Sequence, residues 1–219
     1  LAEEITPNED ATVWTAKLRS GVKFSDGRPL RPEDVIASYT RIIDPDDPKN
    51  GAASLGHLDR MVKVDERTVE FHLSSADAEF DNLTGSYANV IVPEDFDVEN
   101  PVGTGPFMLE DFVPAQSTVM VPNPHYWGDE GPHLERVVLL NFNDNDALIN
   151  ALLSNQVDAI ASIPAALTHV LESDPRLSIL NSVTGMYLPF TMRVDQAPFD
   201  DVRVRQAMRL AVDRPGMIN

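Results

Sequence analysis

WTAKLRSGVKFSDGRPLRPEDV, residues 14–35, predicts a strand, two tight turns and the start of a helix within 22 residues. Its first five residues alternate between apolar and polar, which is the pattern of a half-buried strand. Gly21 and Gly27 mark the turns, because glycine adopts the positive φ angles that such turns often need. Pro32 suits a first helical position, and the two acidic residues that follow it complement the positive end of a helix.

Outside this run, the apolar pattern divides the chain into two stretches. Before about residue 100 it predicts a helix from Pro32, a hairpin at 61–74, a short helix at 79–84 and a strand at 89–92. From about 105 to 200 strands alternate with helices, which predicts a mixed sheet covered by helices. The strands predicted there are a pair within 102–114 and 117–127, joined by a turn around 114–115, then 134–143 as a strand buried on both faces, 157–161, 177–180 and 185–194. Helices are predicted from a cap at Asp144 or Asn145 to a left-handed C-terminal residue at Asn155, from Pro164 to about 172, and over about 202–212 from a cap at Asp200 or Asp201.

Four blocks of the sequence resemble one protein family. The blocks are LR-x-GVKFSDG within 14–35, VGTGPF with TVMVPNPHYWG at 102–128, ALINALLSNQVDAI at 147–160 and APFDDVRVRQAMRLAVDR at 197–214. Together they resemble the family 5 extracytoplasmic solute-binding proteins, which are peptide, nickel and oligosaccharide receptors of bacterial ABC importers. All four occur in the family's order and span residues 14–214.

The resemblance implies an α/β fold of the type II periplasmic-binding-protein kind. It implies a mixed-sheet lobe with a smaller α+β accessory domain, in a partial chain. Residues 1–100 would be the accessory domain, 101–199 part of the main lobe that lines the ligand cleft, and 200–219 the first helix leading into a second lobe. The chain starts at Leu1 with neither a methionine nor a signal segment, so we expect it to be part of a longer protein.

Composition excludes several classes of partner and chemistry. The formal net charge of −18 disfavours nucleic acid and anionic lipid as direct partners, since both would repel the chain. The chain has no cysteine, so it has no disulfide and no thiolate nucleophile. No apolar run approaches the roughly 20 residues that a membrane-spanning helix needs.

Sequence motifs give no support for a catalytic or cofactor site. GTGPF at 103–107 lacks the further residues of a phosphate-binding loop, and its proline removes a backbone donor, so it predicts a tight turn. The acidic loops at 44–47 and 144–146 lack the spaced ligand set of a calcium loop. The five histidines have no metal-ligand helical spacing, and neither a Gly-x-Ser-x-Gly nor an HExxH motif occurs. We therefore expect no cofactor, no metal and no enzyme activity.

The resemblance places the ligand contacts on the segment 185–194, GMYLPFTMRV. It aligns with a family segment, often rich in tyrosine, whose residues face the bound solute. A second candidate is the turn before Pro164. The candidate ligand-binding residues are Tyr187, Leu188, Pro189, Phe190, Thr191, Arg193, Ala161 and Ser162. Two of them depart from the family: Arg193 stands where Asn is common, and Pro189 removes a donor that a bound peptide backbone would use. Arg193 is also a candidate to hold a ligand carboxylate bidentately.

By this resemblance the protein would be the solute-binding receptor of an ABC importer, with a small solute, which we expect to be a peptide, as its ligand. Its protein partners would be the permease subunits in the membrane, and we expect a monomer outside the cytoplasm, in the periplasm or lipid-anchored at the outer face of the cell membrane. The alternative is a regulatory or sensory protein that carries the same binding domain. Family members with similar blocks carry chemically different solutes, so the blocks do not specify the ligand.

Overall fold

The computed structural model describes residues 1–163, 167–182, 189–213 and residue 216. The chain divides into two compact units, Leu1–Asp158 and Ala159–Asn219, called the first and second unit below. The predicted domain boundary near residue 100 falls inside the first unit, between its two sheets, and stays a prediction. No helix in the described ranges is both long and apolar enough to cross a membrane.

The first sheet of the first unit has four antiparallel strands. They are β1 (Ala2–Pro7), β2 (Val13–Leu18), β3 (Leu58–Lys63) and β4 (Thr68–Leu73). Their order across the sheet is β1-β2-β4-β3. β3 and β4 form the predicted hairpin, in which the Asp65 carboxylate accepts hydrogen bonds from the Arg67 amide and the Thr68 hydroxyl.

The run 14–35 folds as predicted. In β2 the alternating residues Trp14, Ala16 and Leu18 are buried. The two turn glycines have φ angles of +78° and +89°. Helix α1 (Pro32–Ile42) begins at the predicted proline. Strand, turns and helix start each follow from residues within a few positions, which explains why sequence reasoning located them.

One face of α1 packs against the first sheet and closes the core. Tyr39 and Phe71 meet edge to face with ring centroids 5.1 Å apart. Phe80, at the start of the short helix α2 (Phe80–Thr84), is fully buried and lies 5.4 Å from the Phe71 ring. The Trp14 indole N–H donates to the Asp77 carbonyl over 3.0 Å, so this large side chain is buried with its polar atom satisfied.

The strand predicted at 89–92 is wrong. These residues have no sheet neighbour, because two side chains of α1 satisfy the backbone here instead. The Ser38 hydroxyl donates to the Val92 carbonyl and accepts from the Val92 amide, over 3.0 and 2.9 Å. The buried Asp34 carboxylate accepts from the Glu94 amide at 3.0 Å and from the Arg31 amide at 2.8 Å.

The second sheet of the first unit has three antiparallel strands, β5 (Phe107–Val113), β6 (Ser117–Pro122) and β7 (Val137–Leu140), in that order. Ala115 makes the predicted turn between β5 and β6 with a φ of +60°. The prediction that β7 is buried on both faces is wrong. β7 pairs only with β6 and is an edge strand, so Val138 and Leu139 are about half exposed.

Three further helices follow, two of them with the predicted caps. α3 (Asn145–Leu153) is capped by Asp144 and is followed by Asn155 in the left-handed region, at φ +58°. In the second unit α4 (Thr168–Glu172) is short, and α5 (Val202–Ala211) is capped by Asp201. The strands predicted at 157–161 and 177–180 are wrong, since these residues form no ladder. Of the strand predicted at 185–194, residues 185–188 lie outside the described ranges, and residues 189–194 are not in a sheet.

Candidate functional site

Two of the family-like motifs meet at Asn123. This side chain is only 3% exposed. Its amide group donates to the Gly105 carbonyl at 2.8 Å, its backbone N–H donates to the Pro106 carbonyl at 2.9 Å, and its side-chain oxygen accepts from the His125 amide at 2.9 Å. The turn 123–127 is thereby fastened to the GTGPF loop.

The Asp-Gly turn of the opening run docks on the same junction. The Ser25 amide donates to the Gly103 carbonyl at 2.8 Å. Gly27 lies so close to His125 that a β-carbon on it would stand 3.2 Å from the imidazole Nε2. The Arg19 guanidinium sits 5.1 Å from the centre of the Trp127 ring, at cation–π distance. These motifs therefore connect the two sheets of the first unit.

This geometry gives GTGPF a structural role. The carbonyls of Gly103, Gly105 and Pro106 point at N–H donors of the chain itself. A phosphate-binding loop needs the opposite polarity, with backbone N–H groups converging on the ligand. The sequence prediction of a tight turn agrees with these contacts.

The predicted ligand-binding residues all lie in the second unit. Tyr187 and Leu188 are outside the described residues. Pro189, Phe190 and Thr191 are exposed, and the Phe190 side chain has 72% of its surface open to solvent. A large exposed ring beside a proline offers an apolar contact surface with few backbone donors.

Arg193 is already paired within the chain. Its Nε and one terminal nitrogen donate to the two Asp195 carboxylate oxygens at 2.9 and 2.6 Å, which is the bidentate geometry that was predicted for a ligand carboxylate. The hydrogen bond from Arg193 lowers the pKa of the Asp195 carboxyl below its ordinary value. A ligand carboxylate at Arg193 would therefore have to compete with Asp195.

Ala161 and Ser162, the second candidate pair, are exposed. Among the described residues no hydrogen bond or ion pair joins them to the segment 189–193. The structure thus places both candidate segments in one unit, with no hydrogen bond or ion pair between their described parts. Their role as ligand contacts stays a prediction.

A cavity of about 860 Å³ in the first unit lies between its two sheets and the segment 84–92. Tyr39, Phe71, Tyr87, Phe96 and Phe107 contribute to its walls, and its lining holds no charged side chain. Burial raises the pKa of the Tyr39 phenol above its ordinary value, so this hydroxyl stays protonated at neutral pH. The cavity can therefore accept an apolar group, and its lining offers no acid–base pair for catalysis.

The acidic loops have local partners. The Asp44 carboxylate accepts from the Asp46 amide at 2.9 Å, and the Asp144 carboxylate accepts from the Ala147 amide at 2.7 Å at the start of α3. These are turn and helix-cap contacts of the kind that Asp makes without a metal. The described ranges contain no group of three or more His, Asp or Glu side chains placed to hold a metal ion.

Sequence reasoning missed the buried polar contacts of Asp34 and Ser38. These residues are four apart on α1, so they lie on the same face of the helix. An Asp at the third helical position, followed four residues later by Ser, is the signal that was available. Their partners in the segment 92–94 are 54 or more residues away in the chain, and this separation hid the contact.

Comparisons with known proteins agree with the family resemblance of the sequence motifs. The family profile described as "Bacterial extracellular solute-binding proteins, family 5 Middle" matches residues 1–219. The glutathione-binding protein GsiB of Escherichia coli is 27% identical over 225 residues, and the match covers all of this chain and 44% of that protein. The probable D,D-dipeptide-binding periplasmic protein DdpA of Escherichia coli is 28% identical over 238 residues, again covering all of this chain and 44% of that protein.

The fold is shared with solved structures. The crystal structure of a nickel ABC transporter from Bacillus halodurans superposes with a TM-score of 0.79 at 27% identity, over all of this chain and 45% of that one. This match confirms the predicted type II periplasmic-binding-protein fold. The chain spans about half the length of the curated relatives it matches, and these relatives are binding proteins, not enzymes.

Proposed function

This chain belongs to family 5 of the bacterial extracellular solute-binding proteins, and we propose that it forms about half of the solute-binding receptor of an ABC importer. The observation that carries the proposal is the family match, which runs over all 219 residues. The receptor binds its solute without chemical change, closes over it by hinge motion and presents it to permease subunits in the membrane. It acts as a monomer outside the cytoplasm, in the periplasm or held by a lipid anchor.

The proposed solute is a peptide. DdpA is named as a probable D,D-dipeptide-binding protein, and it is 28% identical to this chain in a match that covers all of this chain. Relatives named for different solutes match at similar identity: GsiB is named for glutathione, itself a tripeptide, and another match is a nickel transporter. Exposed apolar side chains such as Phe190 suit a ligand with variable side chains.

We propose that three regions of the chain have different roles, with the bounds that the sequence blocks indicate. Residues 1–100 form the accessory domain, residues 101–199 contribute to the lobe that lines the cleft, and residues 200–219 lead into the second lobe. Residues 187–191, Arg193, Ala161 and Ser162 are the proposed solute contacts. The junction around Asn123 holds the first two regions together and, on this proposal, contacts no solute.

Ligand identification on the full-length protein tests the proposal. Native mass spectrometry of the protein purified without denaturation should show retained peptide masses, and calorimetry should give saturable binding to a library of di- to pentapeptides. Glutathione and Ni²⁺ alone are the competing probes. Saturable binding of Ni²⁺ without binding of any peptide, glutathione included, would overturn the peptide assignment and leave the receptor function standing. Binding of glutathione alone would narrow the assignment to that tripeptide.

The 219-residue chain by itself is a second test. If the solute is held between two lobes, this chain has only part of the binding surface and should bind the identified solute at least about tenfold more weakly than the full-length protein, a loss of about 1.4 kcal/mol. Equal micromolar affinity in both would contradict a cleft shared with residues outside this chain.

Arg193 has a closely matched control in Arg203. Arg203 also pairs bidentately with an aspartate two residues away, Asp201, and both guanidinium groups are exposed. Arg193→Ala should weaken binding of the solute by about tenfold or more if it holds a ligand carboxylate, whereas Arg203→Ala should not. Unchanged affinity in Arg193→Ala would remove Arg193 from the site.

The rival function is regulation or sensing by the same binding domain. The coding sequence upstream of Leu1 distinguishes the two. A signal peptide followed by a lipid-attachment cysteine favours the receptor, and a DNA-binding region favours the regulator.

A further inference from the structure

The acidic surplus of this chain lies entirely in its first unit. Leu1–Asp158 holds 29 Asp and Glu residues against 11 Lys and Arg residues, whereas Ala159–Asn219 holds six of each. The net charge of −18 is therefore a property of one unit, while the other is neutral.

Most of the carboxylates in the first unit have no cationic partner. All of its residues are described, and nine of its 29 acidic side chains form an ion pair with Lys or Arg. The nine are Glu3, Asp26, Glu33, Asp34, Asp47, Glu66, Glu94, Asp95 and Glu110.

Most of the cations of the first unit are already engaged. Seven of the 11 Lys and Arg residues make these ion pairs. Arg19 and Arg41 lie over the rings of Trp127 and Phe96, at 5.1 and 4.6 Å from the ring centres. Only Lys23 and Arg60 of the first unit lie outside these ion pairs and ring contacts, which is too few to neutralise its other 20 carboxylates by a change of rotamer.

Repulsion among exposed carboxylates is small for each pair and accumulates over the surface. At 0.1 M salt charges are felt over about 10 Å, and at 1 M salt over only about 3 Å. A compact unit with a large single-sign charge is destabilised by this self-repulsion, and the unfolded chain relieves it by spreading the charges apart.

We infer that the first unit is adapted to high ionic strength: salt stabilises its folded state by screening repulsion among unpaired carboxylates. The second unit, which has no net charge, lacks this dependence. The inference is independent of the proposed function, so either can fail alone.

Tryptophan fluorescence isolates the first unit, because both tryptophans of the chain, Trp14 and Trp127, belong to it. The test is the midpoint of thermal unfolding of the 219-residue protein between 20 mM and 1 M NaCl, read by this fluorescence. The midpoint should rise by about 5 °C or more over that range. Sucrose at matched osmolality, which does not screen charge, should give a smaller rise.

Two variants with the same change in charge locate the effect. One converts five exposed carboxylates without a cationic partner to amides: Glu4, Asp46, Asp59, Asp111 and Glu130. The other converts five that are paired with Lys or Arg: Glu3, Asp26, Glu33, Asp95 and Glu110. The first variant should unfold at a higher temperature than the parent in 20 mM NaCl and respond less to salt. The second should gain less, because each substitution also removes an attractive contact.

A midpoint that stays within about 2 °C, or falls, between 20 mM and 1 M NaCl would overturn the inference. So would a rise that sucrose reproduces in full, or a first variant whose salt response equals the parent's. The measurement on the parent protein decides the matter even if a variant fails to fold.

Discussion

The two units of this chain bury their apolar side chains to very different degrees. In the first unit Phe71 and Phe80 are 2% and 0% exposed, at the centre of a core between helix and sheet. In the described part of the second unit Leu171 is buried, but Phe190 and Leu210 are 72% and 78% exposed, and α5 has no buried residue. The comparison teaches that the motifs marking the family at residues 14–35 and 102–128 belong to the unit with the larger buried core, whereas the proposed solute contacts belong to the other.

A pair of phenylalanine substitutions gives the largest expected effect on this comparison. Phe71→Ala should lower the free energy of unfolding by about 3–5 kcal/mol, because it empties a site at the centre of the core. Phe190→Ala removes the same side chain from the surface of the second unit and should change it by less than about 0.5 kcal/mol. Urea unfolding followed by far-ultraviolet circular dichroism measures both, since this signal reports the whole chain.

A large loss of unfolding free energy in Phe190→Ala would contradict this comparison. It would mean that this ring is packed in solution and that the second unit has a core of its own. A small loss in Phe71→Ala would equally contradict the central place of this ring.

Three glycine variants test the junction of the first unit. Gly27→Ala combines a φ of +89° with a contact 3.2 Å from His125, and should lower the free energy of unfolding by about 1–3 kcal/mol. Gly21→Ala has a φ of +78° and no atom within 4 Å of the added methyl, so it measures the backbone strain alone. Gly131→Ala has neither feature and is the neutral control.

The difference between the first two variants measures the contact between the Asp-Gly turn and the turn at 123–127. Equal losses in Gly27→Ala and Gly21→Ala would show that the contact with His125 adds nothing to stability. The junction would then rest on its hydrogen bonds alone.

Tyr39 gives the first unit a predicted sensitivity to alkaline pH. Burial raises the pKa of its phenol above the ordinary value of 10. The folded chain therefore keeps the proton that the unfolded chain loses, so the contribution is fully present below pH 10 and is lost as the pH rises above it. By pH 11 the parent should lose about 1 kcal/mol of unfolding free energy more than Tyr39→Phe. Parallel stability curves for the two proteins between pH 8 and 11 would contradict this.

Sequence reasoning succeeded where structure depends on neighbours in the chain. The turn glycines, the helix start at Pro32 and the caps Asp144 and Asp201 are local chemistry. It failed at residues 89–92, which have the apolar pattern of a strand. Their backbone is instead hydrogen-bonded by Ser38, which lies 54 residues away from Val92 in the chain. An apolar run such as that of β7 also does not show how many strands pair with it, and β7 pairs only with β6.

The site was harder to predict than the fold for the same reason. By residue type Arg193 was a reasonable candidate to bind the carboxylate of a ligand. Its pairing with Asp195 depends on the backbone path between the two residues, which residue type does not show. Tyr187 and Leu188 fall outside the described residues. The family resemblance points to these positions, and their contacts depend on the three-dimensional arrangement that residue patterns do not encode.

The smallest expected effect compares the two helix caps, one in each unit. Asp144 accepts from the Ala147 amide at 2.7 Å and Asp201 from the Arg203 amide at 2.8 Å, so the local geometry is nearly the same. Asp144→Ala should lower the free energy of unfolding by about 1 kcal/mol, because α3 buries Ile149 and Ala151. Asp201→Ala should reduce helix content by circular dichroism and leave the tryptophan-monitored transition unchanged, since α5 buries no side chain.

Asn at either position retains the cap and is the matched control. A shift of the tryptophan transition in Asp201→Ala, absent in Asp201→Asn, would show that α5 stabilises the first unit. The two units would then share a cooperative transition, and the contrast in burial would not amount to a contrast in stability. Identical helix content in all four variants would instead mean that neither cap limits its helix.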